Sequence, residues 1–209
     1  MTGSSIQCFY NIPLTPKRAS VLGRLGIPKN APVDPALSAM LEAGLRQARI
    51  LGRPTGLYRL LTIAQRTVDS VTLENEINLQ SQSLSRLLQN SAETVLMAAT
   101  VGSEIVDAIG YEITQKDAAH GVILDAVASE TADAVLDWLM DYLNTMLAKT
   151  GRKLTKHRYS PGYGDLPLAY QKPIFETLKL SEVGINLTEK YMLVPEKSVI
   201  AIAGIEPKE

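Results

Sequence analysis

Apolar residues recur at helical spacing in two long stretches of the chain. In the first, over 35–51, four apolar residues lie three to four positions apart: Leu37, Leu41, Leu45 and Ala48. Asp34 and Pro35 provide an N-cap residue and a proline at the first helical position, and Gly52 follows the last turn. The pattern therefore predicts an amphipathic helix over about 35–51.

A longer helix is predicted over about 117–149. At about 100° per residue, five of its apolar residues project within one narrow sector: Leu124, Ala128, Val135, Leu139 and Met146. Four acidic residues lie on a different side: Glu130, Asp133, Asp137 and Asp141. By periodicity alone, this acidic side is either a solvated helix face or the source of a carboxylate that receives an ammonium group or a ribose hydroxyl.

Shorter helices and several strands fill the rest of the chain. Helices are predicted over 15–25, 81–89, 103–114 and 173–179, and strands over 57–63, 70–77, 94–100, 187–194 and 198–205. The run 94–100 is continuously apolar, which is typical of a strand buried on both faces. The short segment 195–197 favours a hairpin turn between the last two strands.

The order of these elements predicts an α+β fold. Helices and strands interleave without a regular βαβ period, which favours a mostly antiparallel central sheet flanked by helices. The chain has 209 residues, of which 45% are hydrophobic and 21% charged, so we expect one globular domain over 1–209. Residues 1–11 are expected to form a loose N-terminal segment.

Charge and cysteine content exclude several function classes. The 21 lysine and arginine residues balance 22 aspartate and glutamate residues, which leaves no electrostatic footprint for nucleic acid. Cys8 is the single cysteine and there are two histidines, so we expect no metal centre built within the chain. The longest apolar stretch, 94–102, is far shorter than the roughly 18 residues of a membrane helix. These features predict a cytoplasmic protein without nucleic-acid or membrane partners.

The common catalytic motifs are absent from the sequence. It contains no G-x-x-x-x-G-K-[ST] phosphate loop, no G-x-G-x-x-G opening a helix, no G-x-S-x-G elbow and no H-E-x-x-H. These absences disfavour an ordinary Rossmann-type methyltransferase or dehydrogenase, and a hydrolase.

The segment 158–164, with the sequence RYSPGYG, carries the candidate chemistry. Arg158 offers a fork of donors that suits a carboxylate, the two glycines allow close approach to the backbone, and Tyr163 offers an aromatic face with a hydroxyl. Together they suit a small zwitterionic ligand. The alternative is a tight surface turn whose arginine pairs with an acidic neighbour, because Gly, Pro and Ser are the usual residues of turns.

This segment resembles the activation domain of cobalamin-dependent methionine synthase, in its stand-alone form. The resemblance rests on R-x-x-P-G-Y-G-D-L-P at 158–167, followed by Gln171, I-F-E-T-L at 174–178, G-I-x-L-T-E at 184–189 and V-P-E-K-S-V at 194–199. Upstream, R-L-G at 24–26, M-A-A-T-V-G-S-E at 97–104 and D-A-V-A-x-x-x-A-D at 125–133 are similar in the same order. The likeness spans most of residues 12–205.

The resemblance implies a C-shaped α+β domain that binds S-adenosylmethionine and takes part in methionine biosynthesis. Cobalamin would be carried by a corrinoid-binding protein, or by a methionine synthase without its own activation domain. Flavodoxin or ferredoxin would supply the electron that reductive remethylation of cob(II)alamin needs. The system as a whole would be a cobalamin-dependent methyltransferase, in which the chain's own status as an enzyme is left open.

Site residues follow from the same resemblance. Arg158 would bind the methionyl carboxylate, Ser160, Pro161 and Gly162 would line the groove, and Tyr163 would also act catalytically near the donor methyl. Asp133 matches a position that is glutamate in the family and would help hold the ligand. No obvious match exists for the family's N-terminal acidic residue or for its segment after Gly204, so we expect affinity to be weak or to need the partner.

Three hypotheses follow from the sequence. The first is a reactivation subunit that binds S-adenosylmethionine and supports remethylation of a partner's cobalamin. The second is a non-catalytic docking module for a corrinoid methyltransferase that has lost S-adenosylmethionine binding. The third is a conventional S-adenosylmethionine-dependent enzyme acting on a small molecule, which the lack of a general base near the loop disfavours.

Overall fold

The computed structural model describes residues 5–208, which contain six α-helices and nine β-strands in an irregular order. In chain order these are β1 (Gln7–Phe9), α1 (Arg18–Arg24), α2 (Pro35–Leu51), β2 (Thr55–Arg66), β3 (Ser70–Leu73), β4 (Asn78–Gln80), α3 (Gln82–Leu87), β5 (Glu93–Thr100), α4 (Ser103–Tyr111), α5 (Ala118–Ala148), β6 (Arg152–Leu154), α6 (Gln171–Thr177), β7 (Asn186–Leu187), β8 (Leu193–Val194) and β9 (Ser198–Pro207). A π-helical turn, Glu112–Lys116, joins α4 to α5.

The sheet is antiparallel throughout, and β5 lies at its centre. Its strand order is β4-β3-β2-β5-β9-β6, and β1 pairs with the first half of β2. Along its whole length β5 pairs with β2 on one side and with β9 on the other. Helices flank this sheet, so the predicted α+β fold with a mostly antiparallel central sheet is confirmed.

Both faces of the sheet are buried. Because successive side chains of a strand point to opposite faces, Val95, Met97 and Ala99 of β5 pack towards α5, while Leu96 and Ala98 pack the other way. The second face is covered by apolar residues from α3, from the segment 158–170, and from α6 and the residue that follows it, including Leu84, Leu166, Ile174 and Leu178. The prediction that 94–100 is a strand buried on both faces is confirmed.

Helix α5 lies close against the sheet and is also covered by other helices. A Cβ atom on Gly56 of β2 would lie 2.8 Å from Cγ1 of Val135, so a side chain at this position would push α5 away from the sheet. On another side, α5 packs against α2 and α4. Four of the five predicted stripe residues are buried, whereas Met146 is exposed. None of the helices within residues 5–208 is long and apolar enough to cross a membrane.

Three local predictions are wrong. Gln7–Phe9, expected in a loose segment, pairs with β2, while residues 1–4 lie outside the described residues. The strand predicted over 70–77 ends at Leu73, and the chain turns before β4. The strand predicted over 187–194 is instead a small hairpin of β7 and β8, and β9 pairs with β5 and β6.

Candidate ligand-binding site

The loop that begins at Arg158 is fixed to the central sheet through Tyr159. The Tyr159 amide donates to the Ile202 carbonyl at 2.8 Å, and the Ile202 amide donates back to the Tyr159 carbonyl at 2.7 Å. Since side chains alternate along extended backbone, Tyr159 packs into the core on the α6 side, and Arg158 reaches α5. The sheet therefore sets the position of Arg158.

After Tyr159 the chain makes a compact turn that needs glycine. The Tyr163 amide donates to the Ser160 carbonyl at 3.2 Å, and the Gly162 amide donates to the Leu166 carbonyl at 2.8 Å. Gly164 has a φ of 53°, and a Cβ atom there would overlap the hydroxyl of Tyr159. The turn leaves the ring of Tyr163 at the surface, with 70% of the residue exposed.

Asp165 ties this turn to α3. Its carboxylate accepts hydrogen bonds from the Ser81 hydroxyl at 2.6 Å, the Ser83 amide at 3.1 Å and the Tyr159 hydroxyl at 3.1 Å. The bond from Ser81, followed by that from the Ser83 amide, holds the pKa of the Asp165 carboxyl well below its usual range. Sequence reasoning assigned no role to Asp165, because nothing local to residues 158–167 indicates its distant partners in α3.

Two arginines cover the acidic side of α5. The Arg158 guanidinium bonds to Asp137 and lies 3.4 Å from Oδ1 of Asp133. Arg24, from α1, bonds to Glu130 at 2.6 Å and to the other oxygen of Asp133 at 2.9 Å. Three of the four acidic residues are therefore ion-paired, although the side chains of Asp133 and Asp137 remain 42% and 69% exposed. The alternative interpretation, in which Arg158 pairs with an acidic neighbour, is confirmed in that respect.

A cavity of about 280 Å³ opens between α5 and the loop. It is lined by Asp133, Leu136, Arg158, Tyr159, Ser160, Tyr163 and Val199. Four of the residues that the sequence proposes for ligand binding are therefore brought together here: Asp133, Arg158, Ser160 and Tyr163. The other two, Pro161 and Gly162, do not line it; Pro161 is buried, and Gly162 belongs to the turn.

The cavity combines charged, hydroxyl, aromatic and apolar groups. Arg158 provides donors for a carboxylate, Asp133 an acceptor for a cation or hydroxyl, and Leu136 and Val199 an apolar wall. Its volume is just below the roughly 300–1,000 Å³ of typical small-molecule sites, so a larger ligand would extend onto the open surface. Sequence reasoning missed Leu136 and Val199, because apolar residues in core elements carry no local sign of a ligand.

A larger cavity, of about 580 Å³, lies between the segment 11–16 and the end of α2. It contains none of the predicted site residues. Of its two arginines, Arg53 already donates to the carbonyls of Ile50 and Gly52 and pairs with Glu104, and Arg49 is exposed. Within residues 5–208, no group of three or more His, Cys, Asp or Glu side chains is arranged to hold a metal ion. The residues that the sequence proposes for ligand binding therefore lie at the smaller cavity and not at the larger one.

The fold matches that of a known protein. A comparison with protein-family models finds no match, and one with curated proteins finds none either. Among solved structures, the crystal structure of the MetH reactivation domain bound to AdoHcy (S-adenosylhomocysteine) superposes with a TM-score of 0.71 at 15% sequence identity. The match covers 98% of this chain and 79% of that chain. The fold expected from the sequence resemblance is thereby confirmed.

Proposed function

We propose that the chain binds S-adenosylmethionine in the cavity between α5 and the loop 158–164, as a reactivation subunit. In this role it supports the reductive remethylation of cob(II)alamin carried by a separate corrinoid protein or methionine synthase. The observation that carries the proposal is the convergence of Asp133, Arg158, Ser160 and Tyr163 on one cavity. It is supported by the shared fold with a reactivation domain crystallised with AdoHcy.

The residues of the cavity fit S-adenosylmethionine. The side chain of Arg158 is only 24% exposed, so its guanidinium would bind the methionyl carboxylate in partly desolvated surroundings, where such charge-assisted bonds are strong. Arg24 holds Oδ2 of Asp133, so Asp133 would offer Oδ1 to the ammonium group or a ribose hydroxyl once Arg158 turns to the ligand carboxylate. Leu136 and Val199 would contact apolar parts of the ligand. The adenosyl group would extend beyond the 280 Å³ cavity along the surface beside Tyr163.

The chain's own contribution to the reaction is to orient the donor and to exclude water. Arg158 and Asp133 fix the amino-acid end of the ligand, and the sheet fixes Arg158 through its neighbour Tyr159. Tyr163, exposed at the cavity, is the residue to which we assign contact with the donor methyl and with the partner's corrinoid. The remaining chemistry would come from other molecules. S-adenosylmethionine would supply the methyl group and leave as S-adenosylhomocysteine, and a low-potential carrier such as flavodoxin or ferredoxin would supply the electron.

Calorimetric titration of S-adenosylmethionine tests the proposal. We expect Arg158→Ala to weaken binding at least tenfold, because a hydrogen bond to a charged group contributes about 1.5–3 kcal/mol. Arg152→Ala is the matched control: this arginine pairs with Glu93 at the sheet and does not line the cavity, so the variant should bind as the wild type does. No measurable binding by the wild type, with and without a corrinoid partner, would refute the proposal.

The second candidate function is that of a docking module, which binds a corrinoid methyltransferase but does not bind S-adenosylmethionine. The observation that favours it is that Arg158 already contacts two carboxylates, Asp133 and Asp137. A pull-down with a corrinoid protein distinguishes the two. Partner capture that is unchanged by Arg158→Ala and Tyr163→Phe, together with no binding of S-adenosylmethionine, would support the docking module.

A further inference from the structure

Asp137 holds the guanidinium of Arg158 from outside the cavity. Its Oδ1 atom pairs with Nη1 of Arg158, yet Asp137 does not line the cavity, whereas Arg158 does. The Asp137 side chain is 69% exposed, and that of Arg158 only 24%. In this arrangement, a carboxylate on the solvent side engages Nη1 of Arg158, one of the nitrogens that a forked contact with a ligand carboxylate would use.

The two carboxylates that contact Arg158 are not equivalent. Asp133 lines the cavity and also accepts a hydrogen bond from Arg24 at 2.9 Å, so it keeps a cationic partner if Arg158 turns away. Within residues 5–208, Arg158 is the only cation with which Asp137 forms an ion pair. Once Arg158 turns away, the Asp137 side chain therefore has no cationic partner among the described residues.

Releasing Asp137 into water carries a small penalty. Exposed ion pairs contribute little to stability, because each charge is well solvated when the pair opens. A ligand carboxylate in the cavity would meet Arg158 beside the apolar side chains of Leu136 and Val199, where the same interaction is less screened. Replacement of the Asp137 carboxylate by the ligand carboxylate is therefore favourable. The ion pair between Asp137 and Arg158 must open first, and this lowers the affinity for the ligand.

From this geometry we propose that Asp137 is a built-in competitor for the ligand's carboxylate and sets the affinity of the site. The inference rests on the proposed function, since it assigns the regulation of the same cavity. In the absence of ligand Asp137 neutralises Arg158. When a ligand with a carboxylate enters, its carboxylate replaces that of Asp137, which moves into solvent, and Asp133 stays bound to Arg24.

Titration of two related ligands into Asp137→Asn tests the competition. S-adenosylhomocysteine should bind the variant about two- to fivefold more tightly than the wild type, the range expected for loss of an exposed competing pair. Decarboxylated S-adenosylhomocysteine, which lacks only the competing group, should bind both proteins equally. Asp141→Asn is the matched control, because it removes a carboxylate one helical turn further along α5, at an exposed position without an ion pair to Arg158.

Each contrary result has a separate meaning. Equal or weaker binding of S-adenosylhomocysteine by Asp137→Asn would overturn the competition and leave the proposed function intact. An equal gain in Asp141→Asn, or a gain for the decarboxylated ligand, would overturn it as well, because both would indicate a general effect of charge. Failure of the wild type to bind S-adenosylhomocysteine, with and without a corrinoid partner, would overturn the proposed function and this inference with it.

Discussion

Replacing Gly164 with alanine tests how the loop that carries Arg158 is built. Gly164 has a φ of 53°, a conformation that residues with a Cβ atom adopt only at a cost. The added methyl group would overlap the hydroxyl of Tyr159 and would lie 3.4 Å from Cζ of the same ring. Tyr159 would have to shift, although its backbone is bonded to Ile202 of β9.

Two terms set the expected size of the effect. A left-handed backbone conformation at a residue with a side chain costs about 1 kcal/mol. An extra methyl group forced into a packed region costs about 1–3 kcal/mol more. We therefore expect Gly164→Ala to lower the free energy of unfolding by about 2–4 kcal/mol.

Urea denaturation followed by circular dichroism measures this change. Gly110→Ala is the matched control: the position lies in α4, and a Cβ atom there meets nothing within 4 Å, so the variant should be as stable as the wild type or up to about 1 kcal/mol more stable. In a Tyr159→Phe background the overlapping hydroxyl is gone, and Gly164→Ala should then cost only the backbone term of about 1 kcal/mol.

The reasoning fails if Gly164→Ala is as stable as Gly110→Ala. That result would mean that the turn has another conformation in which position 164 has a negative φ. It fails in part if Tyr159→Phe does not reduce the cost of the substitution, because the predicted clash with the hydroxyl would then be absent.

Two further predictions concern stability. Because the pKa of Asp165 is lowered from its ordinary value of 3.8, its contribution is complete above about pH 3.8 and is lost as the pH falls through the lower pKa of the folded state. Asp165→Asn should therefore be less stable at pH 7 and lose less stability on acidification, as measured by urea unfolding at several pH values; parallel acid profiles would contradict this. Leu96→Ala should lower the free energy of unfolding by about 2–5 kcal/mol, because Leu96 is fully buried in the central strand, whereas exposed Val68→Ala should change it by less than about 0.5 kcal/mol. Equal effects in the two variants would contradict the burial of β5.

Much of the fold follows from local signals. The Asp34-Pro35 start and Gly52 stop predict α2 over 35–51, and the structure has Pro35–Leu51. The pairing of strands that are distant in sequence could not be predicted in this way, because an apolar run does not specify the strand with which it pairs. The run 198–205 has the same composition whether it pairs with its neighbour or with β5, and the structure places it against β5 and β6. Hence the predicted final hairpin is wrong.

The part of the candidate site that comes from a single segment could be predicted from the sequence. Arg158, Ser160 and Tyr163 share a loop of unusual composition, and the cavity includes all three. The covering of α5 by Arg24 and Arg158 was not predictable from helical periodicity, which describes only the helix itself and not the segments that pack on it. Asp165 was missed for a similar reason, since its partners Ser81 and Ser83 lie far away in sequence.

The position of β9 inside the sheet has a consequence for co-translational folding. Among residues 5–208, β6 pairs with no strand other than β9, and Tyr159 forms its only bridge with Ile202 of the same strand. Synthesis proceeds from the N-terminus, so residues 152–159 leave the ribosome before the strand that fixes them. A nascent chain stalled before 198–207 would therefore contain α5 with its carboxylates but would lack the strand that holds the backbone of Tyr159, next to Arg158. The bridge that fixes the backbone beside Arg158 would then form only with the step that completes the sheet.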